Sequence, residues 1–91
     1  MHNINTLESE KLFKLIQAKS RLTMSFQLFA CFDIIHTFRH FSKFEAKDVK
    51  YELLTIYSES VLERSLRLLM ENDFLSRESK RYVVTKHVYN Y

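Results

Sequence analysis

The chain has 91 residues, of which 46% are hydrophobic and eight are Phe, with no Gly, no Pro and a formal charge of +3. That is one domain's length with enough apolar residues for a core, which argues against disorder. Without glycine neither a P-loop nor a dinucleotide-binding fingerprint can be built, and tight turns are expected to fall to Asn, Asp or Ser.

The first predicted helix runs from Leu7 to Ser20, with Thr6 as its cap and Glu8 and Glu10 near the positive end of its dipole. Leu12, Leu15 and Ile16 form its inward stripe, widened by Leu7 and Phe13. The second predicted helix runs from Met24 to His40, capped by Thr23 or Ser25. Leu28, Cys31, Phe32, Ile34, Ile35, Phe38 and Phe41 cover about 200° of it, twice the stripe of an ordinary surface helix. Such a helix is central to the domain or shared with a second subunit. Asp33, His36, Thr37 and His40 make its polar side, and Phe26 and Phe29 continue that side toward the N-terminus.

A short third helix is predicted from Ala46 to Leu54, with Val49, Leu53 and Leu54 inward. Ser42 and Glu45 have capping-box spacing, and Glu45 is an alternative cap. The fourth runs from Glu59 to Asn72, capped by Ser58 or Ser60. Leu62, Leu66, Leu69 and Met70 make its inner face beside small Ser65, and Ser60, Arg64, Arg67 and Glu71 its outer face. Phe74 and Leu75, a polar run from Ser76 to Arg81, and then Tyr82 to Thr85 read as a β-hairpin. The tail to Tyr91 extends its second strand in this reading.

The most apolar stretch, Met24 to Phe38, is too short to span a bilayer and contains Gln27, Asp33 and His36. The N-terminus lacks the basic start and apolar run of a signal peptide. The lone cysteine, Cys31, falls on an apolar arc with no activating partner in view. These features read as a soluble cytoplasmic protein. His36 and His40 stand at i and i+4 near Asp33, a metal-compatible spacing, but without a further ligand they read as a polar helix face. No catalytic grouping is legible, so neither an enzyme nor a cofactor, metal or small-molecule ligand is expected.

The 42 residues from Phe44 to Thr85 resemble the winged helix-turn-helix superfamily of DNA-binding regulators. Asp48, Val49 and Leu53 match its first helix, and Ser58, Ser60, Leu62, Arg64, Leu66 and Leu69 its recognition helix. Phe74 and Leu75 match the step into the wing, and Arg77, Lys80, Arg81, Tyr82 and Thr85 the wing. The family's pattern has glycine where Asp73 and Thr55 stand. Asp tolerates the left-handed region and β-branched Thr resists it, so a different turn geometry is expected at Thr55.

The resemblance implies an α+β, mostly helical fold, with two N-terminal helices and a C-terminal hairpin wing. Residues 1–42 would be a helical dimerisation platform, 43–73 the helix-turn-helix, and 74–91 the wing and tail. It implies a small transcriptional regulator that binds double-stranded DNA through Ser58, Ser60, Val61, Arg64, Arg67, Arg77, Lys80 and Arg81. Arg64 is the candidate for bidentate contact with guanine or phosphate. A homodimer burying Phe26, Leu28, Phe29 and Phe32 is expected, because exposed aromatics favour association and two-fold dimers suit palindromic half-sites.

Glu59, Glu63 and Glu71 oppose phosphate near the binding face. They favour the alternative, a winged-helix module that binds protein, as does the balance of nine basic against eight acidic residues over residues 43–91. A plasmid or phage replication or packaging factor would use the same fold and binding.

Overall fold

The computed structural model describes residues 2–85, with side chains described over residues 8–85. The elements run α1 (His2–Ser20), α2 (Phe26–Phe38), β1 (Phe44–Glu45), α3 (Ala46–Leu53), α4 (Glu59–Glu71), β2 (Leu75–Glu78) and β3 (Arg81–Val84). The class is α+β: four helices and a three-stranded antiparallel sheet among the described residues. The side chain of Leu7 and the tail with Tyr89 and Tyr91 lie outside the described residues.

Helix α1 begins earlier than its caps suggest. Thr6 lies inside it rather than at its end, and Glu8 and Glu10 are beyond its first turn. No Pro or Gly interrupts residues 2–6, and extending a formed helix costs little compared with nucleating one. Leu12 and Ile16 are buried, with Phe13 and Leu15 packed partly against the core. The helix stops at Arg21, whose φ of 58° is left-handed and whose N–H donates to the Gln17 carbonyl at 2.9 Å. This turn therefore uses Arg, not the Asn, Asp or Ser expected in a glycine-free chain.

Helix α2 is central. It packs against α1 and against α4, which is why its apolar arc is so wide. Leu28, Ala30, Cys31, Ile34, Ile35 and Phe38 are all buried. Ser25, not Thr23, is the cap and accepts from the Leu28 N–H. The helix ends at Phe38, two residues short of His40, with Arg39 as its C-cap. Phe41 thus falls outside the helix and is 52% exposed, although its ring meets that of Phe38 edge-on.

Glu45, not Ser42, caps α3, and its N–H donates to Asp48 Oδ2 at 2.8 Å. Val49 and Leu53 point inward, whereas Leu54 is the C-cap residue and 48% exposed. The α3–α4 turn is closed by the Ile56 and Tyr57 N–H groups, both donating to the Leu53 carbonyl at 3.0 Å. It needs no positive φ at Thr55.

Helix α4 buries Leu62, Ser65, Leu66 and Leu69. Its end is a Schellman motif: Phe74 N–H donates to Leu69 O at 2.8 Å and Asp73 N–H to Met70 O at 3.2 Å. Asp73 takes φ 64° at the position where glycine is usual. Phe74 is driven fully into the core behind this turn.

The hairpin forms as its alternation predicts, with Arg77 opposite Tyr82 and Glu78 opposite Arg81. Strand β1 is an element beyond those the sequence predicts. Phe44 and Glu45 pair with Tyr82 and Arg81, making the sheet order β1-β3-β2. Two residues carry no legible period, so only the pairing reveals the strand. One core cluster runs from Leu12 to Val84, joining the N-terminal helices, the middle segment and the hairpin. No helix among the described residues is long and apolar enough to cross a membrane.

Ser79 has φ 61° and Lys80 does not have a positive φ, which fits a II′ rather than a I′ turn. A Cβ in that region is strained, whereas glycine adopts it freely. Ser79→Gly is therefore expected to raise stability by about 0.5–1 kcal/mol, read from urea unfolding. An unchanged or lowered midpoint would show that the serine is not strained.

Candidate functional site

Helix α4 presents three strips. At about 100° per residue, Ser60, Arg64, Arg67 and Glu71 fall together opposite the buried strip. All four are exposed. Arg64 and Arg67 share a shallow depression with Leu68 and Glu71. Neither arginine has a carboxylate partner among the described residues.

The serines at the helix start are partly committed. Ser58 Oγ accepts from the Val61 N–H at 3.3 Å and lies 3.3 Å from Ser60 Oγ. Ser58 is thus the N-cap, and Ser60, two residues on, is exposed. Val61 is half-buried on the flank toward α2, where its carbonyl accepts from Gln27 Nε2 at 3.2 Å and Ser65 Oγ at 2.7 Å. It belongs to that flank rather than to the exposed arginine strip.

Two of the three opposing glutamates are occupied. Lys50 of α3 reaches Glu59 Oε2 at 2.6 Å and Glu63 Oε2 at 3.5 Å. Lys50 holds the Glu59 carboxyl below its usual range, and Glu59 in turn, ahead of Glu63, raises the Lys50 ammonium. Nothing local in the sequence marks Lys50. Its partners sit on another helix, and the pairing depends on the angle at which α3 meets α4.

The hairpin cations form a separate group. Lys80 and Arg81 line an open groove of about 560 Å³ with Lys43, Glu45, Glu78 and Ser79. Lys43 pairs with Glu78 at 2.9 Å, while Lys80 and Arg81 are exposed. Arg77 folds back on its own hairpin: Nε donates to Ser79 O at 2.9 Å and the guanidinium lies 5.6 Å from the Tyr82 ring centre.

The residues named for a dimer interface separate in the structure. Leu28 is fully buried in this chain's own core and has no surface to offer. It lies on the side of α2 that faces inward, one residue off the exposed Phe26 and Phe29 line. Phe32 is half-buried, its ring meeting Phe13 edge-on at 5.5 Å and stacking on His36 at 5.2 Å. Phe29 is 38% exposed and touches Phe13, whereas Phe26 is 75% exposed. Phe26 lines an apolar groove of about 270 Å³ with Ile56, Tyr57, Ser58 and Val61.

Two polar links that the sequence does not announce hold α4 and its preceding turn on α2. Gln27 Nε2 donates to Ser65 Oγ as well as to Val61 O. Tyr57 donates its hydroxyl to Asp33 Oδ2 at 2.5 Å, and burial, aided by that carboxylate, pushes the phenol pKa up. The Cys31 thiol lies beside the Ser65 carbonyl, and burial raises its pKa to about 11. A thiol so protonated at neutral pH is a poor nucleophile.

His36 shares a 3.2 Å hydrogen bond with Ser9 Oγ across the α1–α2 contact. Among the described residues no cluster of three or more His, Cys, Asp or Glu could hold a metal. Burial first, and then the Arg39 charge, lower the His36 pKa below 6.5. A lowered imidazole pKa favours the neutral form in the fold. The stability it contributes is present above about pH 6.5 and is lost as pH falls through the folded value. The thermal midpoint is expected to fall on acidification from pH 7.5 to 5 more steeply for the native chain than for His36→Gln. Parallel pH profiles would assign the acid sensitivity elsewhere.

No protein-family model, curated protein or solved structure matches the chain.

Proposed function

We propose that this chain is a winged helix-turn-helix domain that binds double-stranded DNA, with α4 in the major groove and the β2–β3 hairpin as the wing. The observation that carries this reading is the couple Arg64 and Arg67, exposed and without a carboxylate partner among the described residues, on a helix whose opposite face is buried. A rigidly held helix of this kind fits the major groove, and guanidinium groups match both guanine edges and phosphates. Ser60, and the amide end of α4 around Ser58, suit phosphate contacts. Lys80 and Arg81 supply further cations on the wing. Lys50 removes much of the objection raised by Glu59 and Glu63, since both are paired to it.

Selection of bound sequences from a random duplex pool, followed by titration across salt, tests the reading. Binding that is sequence-selective and weakens steeply with salt is expected. The same domain acts as a small transcriptional regulator by occupying its site as a homodimer. Of the four residues expected at that contact, Phe26 and Phe29 keep the most apolar surface, so sedimentation should report a dimer at micromolar concentration.

A specific observation favours a second reading, a protein-binding module. The apolar groove formed by Phe26, Ile56 and Val61 lies beside the start of α4, where a protein partner would find anchors. Absence of salt-sensitive duplex binding, with a monomeric mass, would favour it.

A further inference from the structure

We infer that Lys50 is a positioning residue for the DNA-binding strip of α4, drawing Glu59 and Glu63 to the α3 side and offsetting one of their two negative charges. The inference rests on the DNA-binding reading above.

The geometry comes first. On α4, Glu59 and Glu63 fall on the flank between the buried strip and the exposed arginines, about 100° around the helix from Arg64 in the case of Glu63. Lys50 Nζ stands over that flank, 2.6 Å from one carboxylate and 3.5 Å from the other. One ammonium therefore holds two side chains one helical turn apart. Both glutamates are otherwise exposed and have the length to swing toward the strip.

The charge count then decides the effect. Helix α4 carries Glu59, Glu63 and Glu71 against Arg64 and Arg67, a net acidic surface. Lys50 brings three carboxylates into balance with three cations. The balance is local, because Lys50 holds the Glu59 and Glu63 carboxylates toward α3, while Arg67, about 40° around the helix from Glu63, and Arg64, about 100° from it, keep their own charges on the exposed strip. Without it, a phosphate approaching the arginines meets two uncompensated carboxylates within about a Debye length. Exposed ion pairs of this kind add little to stability, so the contribution of Lys50 is to the surface potential rather than to the fold.

The test is fluorescence anisotropy on a selected duplex at low salt, using the full chain. Lys50→Gln keeps about half of the aliphatic stem and removes the charge. It is expected to weaken binding roughly five- to tenfold, by the Coulomb energy of the freed carboxylates near phosphate. Lys50→Arg should stay within about twofold of the native chain, since a guanidinium still pairs with both carboxylates. The triple variant Lys50→Gln, Glu59→Gln, Glu63→Gln loses two negative charges with the one positive and should bind at least as tightly as the native chain. Thermal melts of each variant should match the native chain to within a few degrees.

Native affinity in Lys50→Gln would overturn the inference. So would a triple variant as weak as Lys50→Gln, because Lys50 would then be touching phosphate itself. These failures leave the DNA-binding reading standing. A native chain that binds no duplex overturns that reading, and the inference with it.

Discussion

Arg64→Ala is expected to weaken duplex binding by about 1–3 kcal/mol, roughly five- to 150-fold, if the guanidinium contacts a base, and to relax preference at one base position. Arg67→Ala is expected to act differently. A phosphate contact carries no sequence information, so its loss weakens all duplexes alike and lowers the salt slope by about one. The double variant should bring α4 close to the non-specific background. Both side chains are exposed and unpaired among the described residues, so neither substitution removes packing. Equal melting curves for native and variant chains would separate binding from folding. Native-like affinity and selectivity in the double variant would remove α4 from the interface and leave the hairpin cations or the apolar groove as the contact surface.

The largest effect on stability is expected at Phe38. Its ring stacks on Phe44 at 4.5 Å with 15° between planes, and the Phe44 ring stacks on Tyr82 at 5.7 Å. This column ties the end of α2 to β1 and then to β3. Phe38 and Phe44 are almost wholly buried, at 1% and 2% exposure. Phe38→Ala removes the ring and leaves a cavity, which costs about 3–5 kcal/mol. A domain of this size has about 5–13 kcal/mol in total, so the variant should lose roughly a quarter or more of its stability. Urea unfolding measures this, with Phe41→Ala as the control. Phe41 meets the same ring but is half-exposed, and its loss should cost less than about 1.5 kcal/mol. A Phe38→Ala cost no greater than that of Phe41→Ala would show that the column does not hold the sheet on the helices.

Most of the helical architecture was legible because its causes are local. The leucine spacing of α4, its Ser58 cap and the tolerance of Asp73 for positive φ are properties of neighbouring residues, and each corresponds to what the structure holds. The wide arc of α2 announced a helix covered on two sides, and α1 and α4 cover it. The errors fall where a choice of partner overrides a local signal. Thr6 is a competent cap, but the helix continues past it. Leu54 is apolar, but α3 ends at that point and turns it outward. Leu28 stands among aromatic neighbours in the sequence, but its direction on the helix takes it into the core.

The candidate site divides in the same way. Arg64, Arg67 and Ser60 were placed on one exposed face by periodicity alone, since a helix with a buried stripe must expose the opposite one. The partners of the charges were not legible. Lys50 reaches Glu59 across the α3–α4 turn, Tyr57 reaches Asp33 across 24 residues of chain, and Gln27 reaches Ser65 across 38. By itself the sequence determined the helices, the hairpin and the outward arginines, because turn propensity and hydrophobic period act over a few residues. The tertiary structure alone decided β1, the aromatic column and the pairing of Lys50, because those exist only once segments distant in the chain meet at a particular angle.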